Sequence, residues 1–253
     1  MSALLQQNFS RHAAQYEARA HFQRTQCARV ADAALMLLPA HARVLDVGCG
    51  TGMFRTLTAE KRPHWQWIGL DIAPGMCAQA QRMGVVLQAN AASIPLADAS
   101  VDAVVSSLCL QWVPDLNAAM GELQRVLRPG GRAMIATLVE GTLDELREAA
   151  THAALRLSLL PMRTVSAYRA AIENVGLGIV SADCRADVEH YATVSNLLNT
   201  MRGIGAGSAE IRHGASLTGA ERWRGMLRAY EAKRGPQGLP VSWHTWFAVV
   251  SKP

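Results

Sequence analysis

The sequence predicts an α/β domain with an open, mostly parallel seven-stranded sheet and helices on both faces. Three observations carry this. Short apolar runs alternate with helix-length amphipathic stretches from residue 43 to residue 138. The first run, Val44-Leu45-Asp46-Val47, passes straight into the glycine-rich turn Gly48-Cys49-Gly50-Thr51-Gly52, with a helix-prone stretch beyond it. The chain has 253 residues, 50% of them hydrophobic, which is enough for one large core and fits a single domain with additions.

In chain order, residues 1–22 are polar and helix-prone, with Phe9, Ala13 and Tyr16 spaced along one side of a helix. Phe22 to Leu38 is a clearer amphipathic helix, stopped by Pro39. A strand over 43–47 leads through the glycine loop into a helix over 53–60. Trp65 to Asp71 is the second strand. Pro74 to Met83 is a helix whose proline suits the first turn, and Met76 on it is expected to pack against the sheet. Val85 to Leu87 is a short third strand, followed by a loop from Gln88 to Ser100. Val101 to Ser106 is a strand, Leu116 to Leu127 a helix, Arg128 to Gly131 a turn, and Arg132 to Leu138 the fifth strand.

Beyond residue 139 the alternation loosens. Leu143 to Leu159 and Val165 to Val175 read as helices, Gly178 to Tyr191 as extended, and Val194 to Met201 as helical. A glycine-rich stretch over 202–214 interrupts the chain before a helix from Thr218 to about Lys233. The last strand, Ser242 to Val250, puts Trp243, Thr245 and Phe247 on one side. The expected organisation is one domain over 1–253, with an N-terminal helical lid over 1–38 and helical additions over about 142–215.

Composition narrows the function classes. No apolar run reaches the roughly 18 residues of a spanning helix, and the start shows no signal-peptide pattern. Five cysteines (27, 49, 77, 109 and 184) form no CxxC pair, which predicts reduced thiols in a cytoplasmic protein. Eight histidines offer no ligand spacing, so no metal is expected. The net charge of +5 suits solubility or an acidic partner. No basic run is interleaved with aromatics, which argues against nucleic acid.

The glycine spacing selects the ligand. A dinucleotide fingerprint is G-x-G-x-x-G with an acidic residue about 20 positions on. Here the spacing is G-x-G-x-G, preceded by Asp46, and Asp71 ends the next apolar run. This stretch resembles the nucleotide-binding loop of Rossmann-like class I S-adenosylmethionine-dependent methyltransferases. In an open parallel sheet the ligand lies outside the carboxyl ends of the strands. The resemblance therefore implies a cofactor site built from Asp46, Gly48, Cys49, Gly50 and Gly52, then Asp71 and Ile72, then Asn90 and Ala91, with Leu108 on the fourth strand's end. Asp71 would accept bonds from the ribose hydroxyls. The family usually has aspartate at the place of Asn90; asparagine keeps an accepting oxygen for adenine but loses the charge. Gln111 and Trp112 would wall the substrate channel.

Stretches outside that loop are similar to one narrower family. Phe9-Ser10-Arg11-His12-Ala13-Ala14-Gln15-Tyr16-Glu17, Gln111-Trp112, Thr137 to Leu143, Met201-Arg202-Gly203-Ile204-Gly205-Ala206, Leu217-Thr218 and the closing run with His244 resemble malonyl-[acyl-carrier-protein] O-methyltransferases of biotin synthesis. The resemblance implies methyl transfer from S-adenosylmethionine, leaving S-adenosylhomocysteine, to the free carboxylate of a malonyl thioester on acyl-carrier protein or CoA. A carboxylate is already ionised at pH 7. The absence of a Ser/His/Asp or Cys/His constellation therefore agrees with the chemistry. Tyr16 and Arg202 are the residues expected to hold the carboxylate, and Arg163, Arg169, Arg212, Arg222, Arg224 and Arg228 are candidates to dock the acidic carrier. Two other readings compete: the same fold acting on another small carboxylic acid or a phenol, and a cofactor-binding module without catalysis.

Overall fold

The computed structural model describes residues 3–157, 159–203 and 217–253. β1 (Arg43–Val47), β2 (Gln66–Asp71), β3 (Val85–Gln88), β4 (Val101–Ser107), β5 (Leu127–Leu138), β6 (Gly178–Tyr191) and β7 (Leu239–Ser251) form one sheet in the order β3-β2-β1-β4-β5-β7-β6. Neighbouring strands pair in parallel, except that β7 is antiparallel to both β5 and β6. The strand order reverses between β1 and β4, which opens a crevice at their carboxyl ends.

The central strands are apolar along their length because both faces are covered. On one face α3 (His21–Leu37) and α4 (Met53–Thr58) set Cys27, Val30, Ala31, Ala34 and Phe54 against Val44, Ala103, Val105 and Met134. On the other, α6 (Leu116–Val126) and α8 (Val165–Asn174) set Leu116, Met120, Leu123, Tyr168 and Ile172 against Leu45, Val104, Ile135 and Trp246. Both helices of this second layer carry side-chain N-caps. Asp115 accepts from the Ala118 N–H at 2.9 Å and Thr164 from the Ala167 N–H at 3.1 Å, and each cap contributes about 1 kcal/mol.

The carboxyl end of the sheet is built up by two additions. β5 stops where Leu138 faces Thr245, whereas Leu239 to His244 of β7 continue against Tyr191 to Ala186 of β6. On this overhang sit α7 (Asp144–His152), α9 (Val194–Gly203) and α10 (Leu217–Glu231), where Leu146, Leu197, Leu198, Met226 and Tyr230 pack with Leu239, Val241 and Trp243. The second addition is the N-terminal segment, comprising α1 (Ala3–His12), a 3₁₀ turn over 13–15 and α2 (Tyr16–Arg19). It contacts α5 (Pro74–Ala80), with Ala13 packed on Ala73 and Met76.

Three sequence expectations change in detail. The helix expected over 143–159 ends at His152, because Ala154 turns left-handed (φ 50°) and the Leu155 N–H reaches back to the Ala150 carbonyl at 2.8 Å. Leu155, Leu157 and Leu159 then pack against the α7–α9–α10 cluster in non-helical conformation. The turn at Arg128–Gly131 falls within the bounds of β5, beside a register shift opposite Val101 and Ala103. Within 1–38, α1 and α2 lie at the sheet's carboxyl end, while α3 is a face helix of the core. Arg212 and residues 204–206 lie outside the described residues. Among those described, no helix is long and apolar enough to cross a membrane.

The docking of α1 leaves no room for a side chain at Gly75, in the first turn of α5. A Cβ there would fall 2.6 Å from the Ser10 Cα and 2.8 Å from its carbonyl carbon. Gly75→Ala is expected to push α1 off the sheet edge, costing roughly 1–3 kcal/mol. Limited proteolysis should then cut faster before residue 20 with the circular dichroism of the sheet unchanged; wild-type cleavage rates and melting would contradict this packing.

Candidate active site

The glycine loop is held by its neighbour strand. The N–H groups of Gly48 and Cys49 both donate to the Leu70 carbonyl of β2, at 2.7 and 3.0 Å. Gly48 is left-handed (φ 74°), and a Cβ on it would overlap the side chain of Cys109. Asp71, at the end of β2, closes the arrangement. One of its oxygens accepts from the Gly50 N–H at 3.0 Å and the other from the Ala73 N–H at 2.8 Å. Burial raises its pKa, and these backbone donors oppose the rise. A carboxylate offers about four lone-pair directions, so Asp71 can still accept a ligand's hydroxyls.

Beside this loop lies a cavity of about 690 Å³, counting its open mouth. Gly48, Gly50, Asp71, Ile72, Asn90 and Ala91 line it from the strand ends, and Leu108, Cys109 and Trp112 form a further wall. Phe9 and Tyr16 line it from the N-terminal segment, with Phe9 edge-on to Trp112 at 5.7 Å. Met76, expected only to pack against the sheet, is buried and also lines the cavity. Phe9 was visible in the sequence as one of three residues on a helix face, but nothing local said what that face covers.

A second, smaller recess shares Tyr16, Gly48, Gly50 and Ser107 with the first and adds Gln23, Cys27, Asp46, Cys49 and Thr51. Asp46 is buried there and accepts a bond from Trp67 Nε1 at 3.2 Å. Burial pushes its pKa up to about 7; the Trp67 bond opposes the rise and the nearby Asp71 adds to it. Burial also raises the Tyr16 phenol well above its ordinary value, with the negative charge of Asp71 adding to the effect. Tyr16 is thus a neutral donor at physiological pH. The segment carrying it is tied down at three points. Gln6 donates to the Ile72 carbonyl at 2.6 Å, the Gly75 N–H donates to Ser10 Oγ at 3.3 Å, and Thr51 Oγ1 donates to Glu17 at 2.9 Å.

Other expected residues lie elsewhere. Gly52 begins α4 with φ 91° and faces Met83 and Ala80 instead of the cavity. Gln111 does not line the cavity, because both ends of its amide are used inside the protein: Nε2 donates to the Leu108 carbonyl and Oε1 accepts from Thr137. Asn90 lines the cavity while its Oδ1 accepts from the Ala92 N–H at 3.0 Å, so it also shapes the local turn. Arg202 is exposed, donates to Asn199 at 2.8 Å and is not among the lining residues, although α9 touches α2. Of the candidate docking arginines, Arg163 is bound to the carbonyls of Val113 and Pro114, whereas Arg169, Arg222, Arg224 and Arg228 are exposed.

Comparison with known proteins shows the family and the fold. Residues 45–135 match the family model described as "Methyltransferase domain". The malonyl-[acyl-carrier protein] O-methyltransferase of Yersinia pestis is 34% identical over 96% of this chain and 88% of its own length. The biotin biosynthesis bifunctional protein BioHC of Cellvibrio japonicus is 34% identical over 98% of this chain, which spans 49% of that longer protein. Among solved structures, a Bacillus halodurans protein described as a methyltransferase superposes with a TM-score of 0.64 at 14% identity, covering 90% of this chain and 99% of that one. That likeness speaks for the fold.

The raised pKa of Asp46 makes a stability prediction. Between pH 4 and 7 the unfolded chain has lost this proton while the ligand-free native state keeps it. Stability contributed here therefore falls as pH rises and levels off above about 7. Asp46→Asn still accepts from Trp67 but does not titrate. By denaturant unfolding without ligand, the variant should match wild type near pH 4 and exceed it by a few kcal/mol at pH 8; a constant difference across that range would refute the shift.

Proposed function

The chain belongs to the malonyl-[acyl-carrier protein] O-methyltransferase family, and we propose that it methylates the free carboxylate of malonyl-acyl-carrier protein, giving the methyl ester that starts pimeloyl synthesis for biotin. It is an S-adenosylmethionine-dependent carboxyl O-methyltransferase. When bound, that cofactor supplies an electrophilic methyl group on a sulfonium. The residues present suit it: Asp71 for the ribose hydroxyls, Asn90 and Ala91 for adenine, the open face of Gly50 for close backbone approach, and Asp46 in the smaller recess for a cationic amino group. A positive charge there favours ionised Asp46, so cofactor affinity rises with pH through the neutral range.

The observation that carries the reading is Tyr16. Its phenol borders both recesses at the glycine loop, on a segment tied to the strand ends, and it stays protonated. It can donate a hydrogen bond to one carboxylate oxygen and leave the other free to attack. No base is needed, since the nucleophile is already ionised. Phe9, Met76 and Trp112 exclude water beside it, and alignment of this kind can lower a barrier by up to roughly 7–11 kcal/mol.

Arg202 is proposed as the second grip on the carboxylate. The support is the contact between α9 and α2, which carries Tyr16; the guanidinium would exchange Asn199 for a charge-assisted bond. Carrier docking is proposed on the exposed Arg222, Arg224 and Arg228 of α10, the carrier being acidic. A cytoplasmic location is proposed from the five free thiols.

Assays with malonyl-carrier protein, malonyl-CoA and a simple diacid test the acceptor, and inactivity on both malonyl thioesters would refute it. Tyr16→Phe should lower kcat by roughly 10–100-fold with the fold intact, and near-wild-type turnover would remove the hydroxyl from the reaction. Arg202→Ala should raise the malonyl-thioester KM about tenfold or more with cofactor affinity unchanged. Carrier KM should rise with salt, and a salt-insensitive KM would exclude electrostatic docking.

A further inference from the structure

The cavity wall at Leu108 contains an unfavourable backbone conformation. Leu108 is left-handed, with φ 52°, which costs a non-glycine residue about 1–2 kcal/mol. Its N–H donates to the Ala136 carbonyl at 2.8 Å, and its own carbonyl accepts from Gln111 Nε2 at 2.8 Å. Gln111 is buried, and its Oε1 lies 3.1 Å from Thr137 Oγ1 on β5. The Thr137 and Tyr168 hydroxyl oxygens are 3.0 Å apart. Burial raises the Tyr168 pKa and the nearby Arg163 charge opposes the rise, while Arg163 itself donates through Nη2 to the carbonyls of Val113 and Pro114, at 2.7 and 2.8 Å.

Proton counting gives these contacts one direction. An amide oxygen carries no hydrogen, so the single hydroxyl proton of Thr137 goes to Gln111. Tyr168 must then donate to Thr137, and Arg163, held on the Val113 and Pro114 carbonyls, sets its charge near Tyr168. The hydrogen-bond chain therefore runs through the core from Tyr168 to the near end of the wall, at Leu108, and Arg163 beside Tyr168 holds the far end, at Val113. None of the four side chains lines the cavity. An apolar set of the same volume could fill the space but could not hold the Leu108 carbonyl, whereas a satisfied buried network rigidifies what it touches.

We infer that Gln111, Thr137, Tyr168 and Arg163 form a positioning network that fixes the Leu108–Val113 wall and so sets cofactor affinity and the alignment for transfer. The inference rests on the cavity as the cofactor site and not on malonyl as the acceptor. A displacement of about 1 Å in such a wall can cost a hundredfold in rate.

The test uses full-length protein and reads the S-adenosylhomocysteine dissociation constant by calorimetry, with melting temperature, kcat and both KM values alongside. Gln111→Met and Thr137→Val should each weaken binding about tenfold, and Thr137→Ser, which keeps the hydroxyl, should stay within about twofold of wild type. The double variant Gln111→Met/Thr137→Val should bind within about twofold of the weaker single one, because both break the same chain. Should Gln111→Met fail to fold, Tyr168→Phe keeps the ring against Trp246 and should weaken binding severalfold. Unchanged affinity with a lowered melting temperature, or losses that multiply in the double variant, would overturn the inference. Inactivity of wild type on malonyl thioesters would leave the binding measurements intact and count only against the acceptor.

Discussion

The site depends on one carboxylate bridging two strand ends. Asp71 joins the Gly50 N–H of the first βα turn to the Ala73 N–H of the second, while the Leu70 carbonyl holds Gly48 and Cys49. Without these bonds the glycine loop would have several conformations of similar energy, since glycine resists few of them. Burying Asp71 is costly, and the backbone donors offset part of that cost. Burial raises the pKa of Asp46 and of the Tyr16 phenol, and the Asp71 charge adds to both rises. The ligand-free site thus holds two buried carboxyl groups, and the charge of Asp71 disfavours ionisation of Asp46.

Around that anchor the chemistry asks little of the protein beyond placement. An ionised carboxylate and an electrophilic methyl group need alignment, a donor that does not become a base, and exclusion of water. The N-terminal segment is proposed to supply the last two through Tyr16 and Phe9, and its ties at Gln6, Ser10 and Glu17 all end on the strand-end loops or the first turn of α5. The opposite wall is held from behind through Gln111 and Thr137. Two segments about 100 residues apart in sequence meet where Phe9 packs on the edge of Trp112.

Much of the fold was legible locally. The strands at 43–47 and 66–71, the glycine loop and the helix over 116–126 follow from apolar periodicity and turn residues, which act within a few positions. The helix expected to reach Leu159 was not legible in the same way. Its leucines satisfy a helical pattern, yet the chain turns at Ala154 because those side chains find partners in α9 and α10. Gln111 is the parallel case at the site. Next to Trp112 it read as a channel residue, but its amide is consumed by Leu108 and Thr137, the latter 26 positions away. Met76 is the converse, read as packing and found also to border the cavity.

The sequence by itself determined the class of fold and the place of the glycine loop at the strand ends, because hydrophobic period, glycine spacing and strand-terminal carboxylates are local properties, and the resemblance of that loop implied the kind of ligand. Tertiary structure decided which side chains face the cavity and which hold the wall behind it. That choice depends on hydrogen-bond partners and packing across Ser10 and Gly75, Glu17 and Thr51, Thr137 and Tyr168. A buried amide or hydroxyl takes whichever partner the folded chain brings within 3 Å or so, and sequence spacing does not encode that distance.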